Sequence, residues 1–298
     1  MRWPWSRKKT LASSSRDAAP YYVLGGRRLT LDAPYMLPKD LEESSRLDFQ
    51  HMLLRNILKS NYLAPIRNPL SVLDVGCGTG RWGVEMARQF PNANVVGVDV
   101  APVPVMSGAH THNQTLAADN YVFVQADVMQ GLPFADNSFD FVHMRLVVLG
   151  LPYAQWRPVV QELHRVTRSG GWLELVDTAV TARSPGAEKW TKWAQTLAGF
   201  RGIDMTAGDQ VGRFLKETGV RNVQQIPLEI PLGNWGGRIG IAMAADGLSG
   251  AKALKGPIVQ QAHLATDEEF DAAIQAMEHD WQVLFGVTQP FYIAFGQK

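Results

Sequence analysis

The stretch VLDVGCGTGRWG, Val72 to Gly83, decides the fold. An apolar run carrying one acid, Asp74, leads into glycines at 76, 78, 80 and 83, and Asp99 follows 21 positions after Gly78. Gly78, Gly80 and Gly83 spell a literal G-x-G-x-x-G, the pattern of a dinucleotide-binding turn. The register contradicts that reading. In a dinucleotide site the first glycine follows the strand directly. This strand ends at Val75, so the count starts at Gly76 and puts Arg81 where a small residue is required. The literal match starts two residues too late. Asp74 would also repel a pyrophosphate, whereas it suits a ligand bearing an ammonium group. Free N–H groups at the following helix N-terminus suit that ligand's carboxylate, and the glycines allow close backbone approach. The loop therefore reads as a site for an amino acid joined to a nucleoside. Asp99 ends the second strand, where an acid accepts both ribose hydroxyls. Asp127, in QADV at the end of the third strand, either receives an adenine amino group or caps the next helix.

Outward from this loop, strands and helices alternate. SVLDVG, NVVGVDV, YVFVQADV, FDFVHMR and WLELVD read as strands. RWGVEMARQF and PVVQELHRVTR read as the helices between them, the second stopped by Ser169-Gly170-Gly171. Strands apolar on both faces that alternate with helices predict a doubly wound α/β sheet covered on both sides. Upstream, Asp40 with Glu43 three positions on predicts a capped helix running to about Lys59. Residues 21–38 read as an irregular arm. Downstream, helices follow Ser184-Pro185, a strand VQQIPLEIPL is expected, and Thr266 with Glu269 opens a helix carrying Phe270, Met277 and Trp281 on one face. FYIAFG closes the chain as a strand. The expected organisation is a tail over 1–20, an arm and helix over 21–66, and one domain over 67–298. Helical cap elements occupy about 184–215 and 234–286 of that domain.

Composition bounds the function. The 298 residues are 46% apolar and 19% charged, with a net charge of +1. That is an ordinary globular mixture without a global field for nucleic acid or anionic membrane. The basic start MRWPWSRKK reads as a solvated tail rather than a membrane contact, because Pro4 interrupts any helix there. No apolar stretch reaches the roughly 20 residues of a membrane helix. A single cysteine, Cys77, excludes an internal disulfide and fits a reducing compartment, so a cytoplasmic protein is expected. A homo-oligomer is compatible with all of these features.

VLDVGCGTG, VVGVDV, VQADVMQGLPFADNSFDFVHMR and ELHRVTRSGGWLELVD, in this order and spacing, resemble the class I S-adenosylmethionine-dependent methyltransferases over about residues 70–178. YMLPKDLEESSRLDFQH and PLGNWGGRIG look like the branch typified by fungal regulators of secondary metabolism. The resemblance implies a seven-stranded sheet of order 3-2-1-4-5-7-6 with strand 7 antiparallel. It implies that Asp74, Gly76, Cys77, Gly78 and Gly80 line the methionine part of S-adenosylmethionine, that Asp99 holds the ribose, and that Val100, Asp127 and Val128 border the adenine. Met144 on strand 4 is expected to contact the cofactor, and the arm-helix segment with Arg46 and Gln50 to close over it; Tyr35 either covers the sulfonium or serves packing alone. It further implies a methyltransferase acting on a small organic molecule in secondary metabolism, or else a cofactor-binding regulator with little turnover.

No residue is obliged to be catalytic, because methyl transfer depends mainly on orientation. His143 and Arg145 end strand 4; the first is a candidate base, the second an anchor for a carboxylate, and each has an alternative as a strand-edge hydrogen-bonding group. Glu174, a carboxylate in an apolar strand, needs a partner, for which Arg145 is a candidate. Asp177 reads equally as a cap or a site residue. Tyr21, Tyr22 and Trp235 are candidate substrate contacts, each with a packing alternative. His110 and His112 lack companion ligands, so no metal site is expected. The absence of a basic groove interleaved with aromatics argues against nucleic acid.

Overall fold

The structure is a computed structural model that describes residues 21–24, 26–30, 35–101 and 118–298. The expected tail and the pair His110 and His112 lie outside these residues. The arm is more ordered than its sequence suggests. β1 (Tyr21–Leu24) and β2 (Arg27–Thr30) form an antiparallel hairpin. Helix α1 (Leu41–Leu58) follows, its N-terminus capped by the Asp40 carboxylate, which accepts the Glu43 N–H at 3.0 Å. Only half of the expected capping box forms. The Glu43 side chain turns instead to Arg46, at 2.6 and 2.8 Å.

The sheet is built from β3 (Ser71–Val75), β4 (Asn94–Asp99), β5 (Tyr121–Gln125), β6 (Phe139–Arg145), β7 (Thr167–Thr178), β8 (Arg221–Pro231) and β9 (Thr288–Gln297). Their order is β5-β4-β3-β6-β7-β9-β8, with β9 antiparallel to both neighbours. Counted from β3, this is the order 3-2-1-4-5-7-6 expected from the sequence. α2 (Arg81–Gln89) covers one face, where Trp82 and Met86 pack on Val72, Val95 and Phe141. α3 (Trp156–Val166) and α5 (Val211–Glu217) cover the other, burying Trp156, Leu163 and Phe214 against Leu73, Val142 and Leu173. A third apolar cluster joins α4 (Glu188–Gly199), α6 (Gly237–Ala253) and α7 (Asp267–Val283) into a cap, together with Leu53 and Leu54 of α1. The Thr266–Glu269 capping box at the start of α7 is complete.

The structure also explains the out-of-register glycine. Gly83 lies inside α2, and a Cβ there would run into the Tyr121 ring reaching across from β5. A Cβ on Gly97 would meet the same phenol oxygen. Gly83 is therefore a packing residue that makes room for a buried tyrosine. Gly83→Ala is expected to lower stability by about 1–3 kcal/mol through overpacking, measured by denaturant unfolding. Affinity for S-adenosylhomocysteine well below the melting temperature should stay within about twofold; a selective loss of affinity would return Gly83 to the ligand.

Candidate functional site

The parallel register sets Asp74 of β3, His143 of β6 and Glu174 of β7 side by side on the face that α2 covers. All three are buried. His143 Nδ1 lies 3.0 Å from Asp74 Oδ1, and the imidazole stacks on Trp82 with ring centroids 3.9 Å apart. Burial pushes the His143 pKa down, so the ring is neutral and Nδ1–H donates to the carboxylate. Glu174 does not pair with Arg145. Its Oε2 accepts the backbone N–H groups of Leu63 and Ala64 at 2.7 and 2.6 Å, tying the segment after α1 to the sheet. Asp177 plays the same part on the opposite face. Its Oδ2 accepts from Val147 and Val148, and its Oδ1 from Thr178. Burial raises both carboxyl groups to about 7.

At the C-terminal ends of these strands lies a cavity of about 400 Å³ between the sheet and the arm. Gly76, Gly78 and Gly80 turn the loop with φ of 70°, 54° and 76°, in the left-handed region that favours glycine. α2 begins directly after the loop, and no side chain caps it. Its first N–H groups are thus left for a ligand. Asp99 keeps its carboxylate at the cavity by accepting the Gly78 and Ala101 N–H groups, each at 3.0 Å, with Lys39 Nζ 3.9 Å away. Asp127 caps the turn Val128–Gln130 through Oδ1 to Met129 N–H, yet also lines the cavity. Its two expected roles are compatible.

Of the residues singled out from sequence, Tyr35, Gln50, Asp74, Gly76, Cys77, Gly78, Asp99, Val100, Asp127, Val128, Met144 and Arg145 line this cavity. Gly80 sits behind it, held away by Tyr121, 2.7 Å from where its Cβ would be. His143 does not line this cavity; it is 1% exposed and positions Asp74. Arg145 donates to His51 Nδ1 at 2.9 Å, and burial with this cationic neighbour lowers the His51 pKa to about 4. Arg46 is engaged by Glu43 and by Asp246 of α6, and Gln50 also donates to Asp246, at 2.8 Å. This network fastens α1 to the cap. Tyr22 donates to Gln261 and Trp235 to the Val287 carbonyl, and neither lines this cavity. Tyr21 belongs to the same strand as Tyr22.

The sequence reading missed Lys39, Glu43, Leu47 and Leu146 as lining residues. Glu43, Leu47 and Gln50 recur at helical spacing, a pattern that marks one face of α1; Lys39 and Leu146 carry no comparable signal. A second cavity, of about 160 Å³, opens between the sheet and the cap. Trp190, Met205, Met243, Met277, Trp281 and Phe291 make its apolar walls.

A methyltransferase domain model matches residues 72–171. Over that span the chain resembles the class I S-adenosylmethionine-dependent methyltransferases. It is 36% identical over 146 residues to Methyltransferase str3 of Strobilurus tenacellus, covering 48% of each chain. It is 27% identical over 242 residues to the secondary metabolism regulator laeA of Aspergillus flavus, covering 76% of this chain and 62% of that protein. The matched region thus spans about half to two thirds of these curated relatives. The fold is shared with a solved phosphoethanolamine N-methyltransferase of Haemonchus contortus, at a TM-score of 0.51 and 14% identity over 85% of this chain and 52% of that one.

The residues of the larger cavity fit the cofactor of such a domain. An acid at the end of β4, a left-handed glycine turn and an uncapped helix start are all present, and among the described residues no helix is long and apolar enough to cross a membrane. The sheet also carries a pH signature. Because Glu174 keeps in the folded state a proton that the unfolded chain releases near 4.5, its contribution is full below pH 4.5 and is lost as pH rises to about 7. Glu174→Gln removes that loss. Its stability relative to the native protein should rise between pH 4.5 and 7, by up to about 3 kcal/mol, and then level off. Denaturant melts across this range would refute the assignment by showing a constant difference.

Proposed function

We propose that this chain transfers the methyl group of S-adenosylmethionine to a small organic acceptor of secondary metabolism held in the second cavity. The observation that supports this most is the junction between the two cavities, which share Tyr35, Leu47, Gln50 and Leu146. When bound, the cofactor supplies a methyl group on a positively charged sulfur, so orientation and exclusion of water contribute more than acid–base chemistry. Asp99 takes the ribose hydroxyls, Asp127 and Val128 border the adenine, and Asp74 with the Gly76–Gly80 turn receives the amino-acid end. His143, held by Asp74 and Trp82, positions that carboxylate. Arg145 supplies a buried positive charge beside the amino-acid end and fixes His51 as a neutral neighbour. The Tyr35 ring face suits a cation, and the Lys39 ammonium lies 5.5 Å from its centroid. The α1–cap network of Glu43, Arg46, Gln50 and Asp246 seals the junction from solvent.

The similarity to a secondary metabolism regulator favours a second reading, a protein that binds the cofactor with little turnover. Both readings share one expectation. Asp99→Ala should weaken S-adenosylhomocysteine binding at least tenfold without lowering the melting temperature of the free protein; unchanged affinity refutes the ribose assignment. Incubation with a radiolabelled methyl donor and a host extract then separates them. The enzyme reading expects a labelled small-molecule product that Asp99→Ala abolishes. Intact binding with no labelled product supports the regulator.

A further inference from the structure

The second cavity has a chemical bias that neither reading specifies. Its walls are apolar, but Arg183 stands among them without any hydrogen bond or ion pair among the described residues, and its buried Nε lacks an acceptor. Trp281, across the same cavity, has a buried indole N–H that is likewise unpartnered. Two unsatisfied donors in one chamber are costly unless an acceptor group arrives with the ligand.

The other charges of the chamber are accounted for. Arg46 and Asp246 neutralise each other at 3.0 Å, with Gln50 also donating to Asp246. Asp177 is spent on the three backbone N–H groups of Val147, Val148 and Thr178. Trp190 Nε1 donates to the Ala251 carbonyl, and Gln289 donates to Thr178 Oγ1 and the Ala179 carbonyl. Arg183 is therefore the charge of this cavity that is left to a ligand among the described residues.

We propose that the second cavity selects an acceptor with an apolar body and an anionic oxygen group, such as a carboxylate, with Arg183 as its counter-ion. This rests on the cavity being the acceptor chamber. A guanidinium presents paired N–H groups that match a carboxylate fork, and low local polarity strengthens the contact. The Met and Trp walls hold the apolar body, and the anchored group fixes which end of the acceptor faces the junction at Tyr35 and Leu146. Arg183 is thus a specificity residue, outside the reacting atoms.

The test is calorimetric titration of the full chain, saturated with S-adenosylhomocysteine, with 2-naphthoate and its neutral counterpart 2-naphthalenemethanol. Naphthoate is expected to bind at least tenfold more tightly than the alcohol. Arg183→Gln should abolish that preference while leaving the alcohol's affinity unchanged, and Arg183→Lys should restore part of it. Gly250 borders the cavity with open space around its Cβ position, so Gly250→Leu should exclude both probes yet leave S-adenosylhomocysteine binding intact. Equal affinity for the two probes, both still blocked by Gly250→Leu, overturns the charge selection alone. So does a preference that survives Arg183→Gln. Probe binding that ignores Gly250→Leu, or no probe binding beside normal cofactor binding, overturns the chamber itself.

Discussion

The hydrogen bond from His143 to Asp74 is the contact on which the site depends. Asp74 lies among apolar residues near the end of β3, and a buried carboxylate without a partner is costly. The parallel register supplies that partner from the adjacent strand, and Trp82 fixes the ring by stacking on it. One Asp74 oxygen is thereby satisfied inside the sheet while the residue still faces the cavity. The strand stops at Val75, and the turn that follows is held to β4 by the Gly76 and Cys77 N–H groups, which donate to the Val98 carbonyl.

The other buried acids extend the same device to the surrounding chain. Glu174 and Asp177, on opposite faces of β7, hold backbone N–H groups rather than cations. The first ties down the segment that follows the arm helix, the second the turn that follows β6. The second of these segments borders both cavities, through Val147 and Val148. Asp246 does for the cap what these two do for the sheet, because Arg46 and Gln50 reach it from α1. The arm and the cap are therefore joined through charge across the mouth of the junction. Glu174, Asp177 and Asp246 are occupied by partners within the chain and do not line the larger cavity, whereas Asp74 and Asp99 do.

Much of this was legible in the sequence. Register against the strand identified the glycine loop, and alternation of apolar segments with helices gave the layered sheet. The strand order and the odd last strand followed from the family resemblance. The β1–β2 hairpin was not legible, because its strands are only four residues long and its pairing is local to an arm that looked irregular. The partners of Glu174 were missed for a different reason. A carboxylate in a strand suggests a cation nearby, but backbone N–H groups carry no residue identity that sequence could reveal. Arg145 looked available for Glu174, yet its guanidinium is directed to His51 on α1. His143 looked like a base because it ends a strand at the ligand side. Its side chain belongs to the face covered by α2, where it supports Asp74 instead of lining the larger cavity. The second cavity was invisible for want of any local pattern, since its walls come from the sheet, the arm and three cap helices.

The central claim is that a cofactor in the larger cavity presents its reactive end to the second cavity at Tyr35, Leu47, Gln50 and Leu146. A crystal structure of the full chain with S-adenosylhomocysteine tests it most directly. The account predicts the ribose hydroxyls on Asp99, the amino-acid end over the Gly76–Gly80 turn, and the sulfur facing the junction with an open path to the Trp190 and Trp281 walls. A sulfur turned to bulk solvent, or a nucleoside lying away from Asp99, would contradict it.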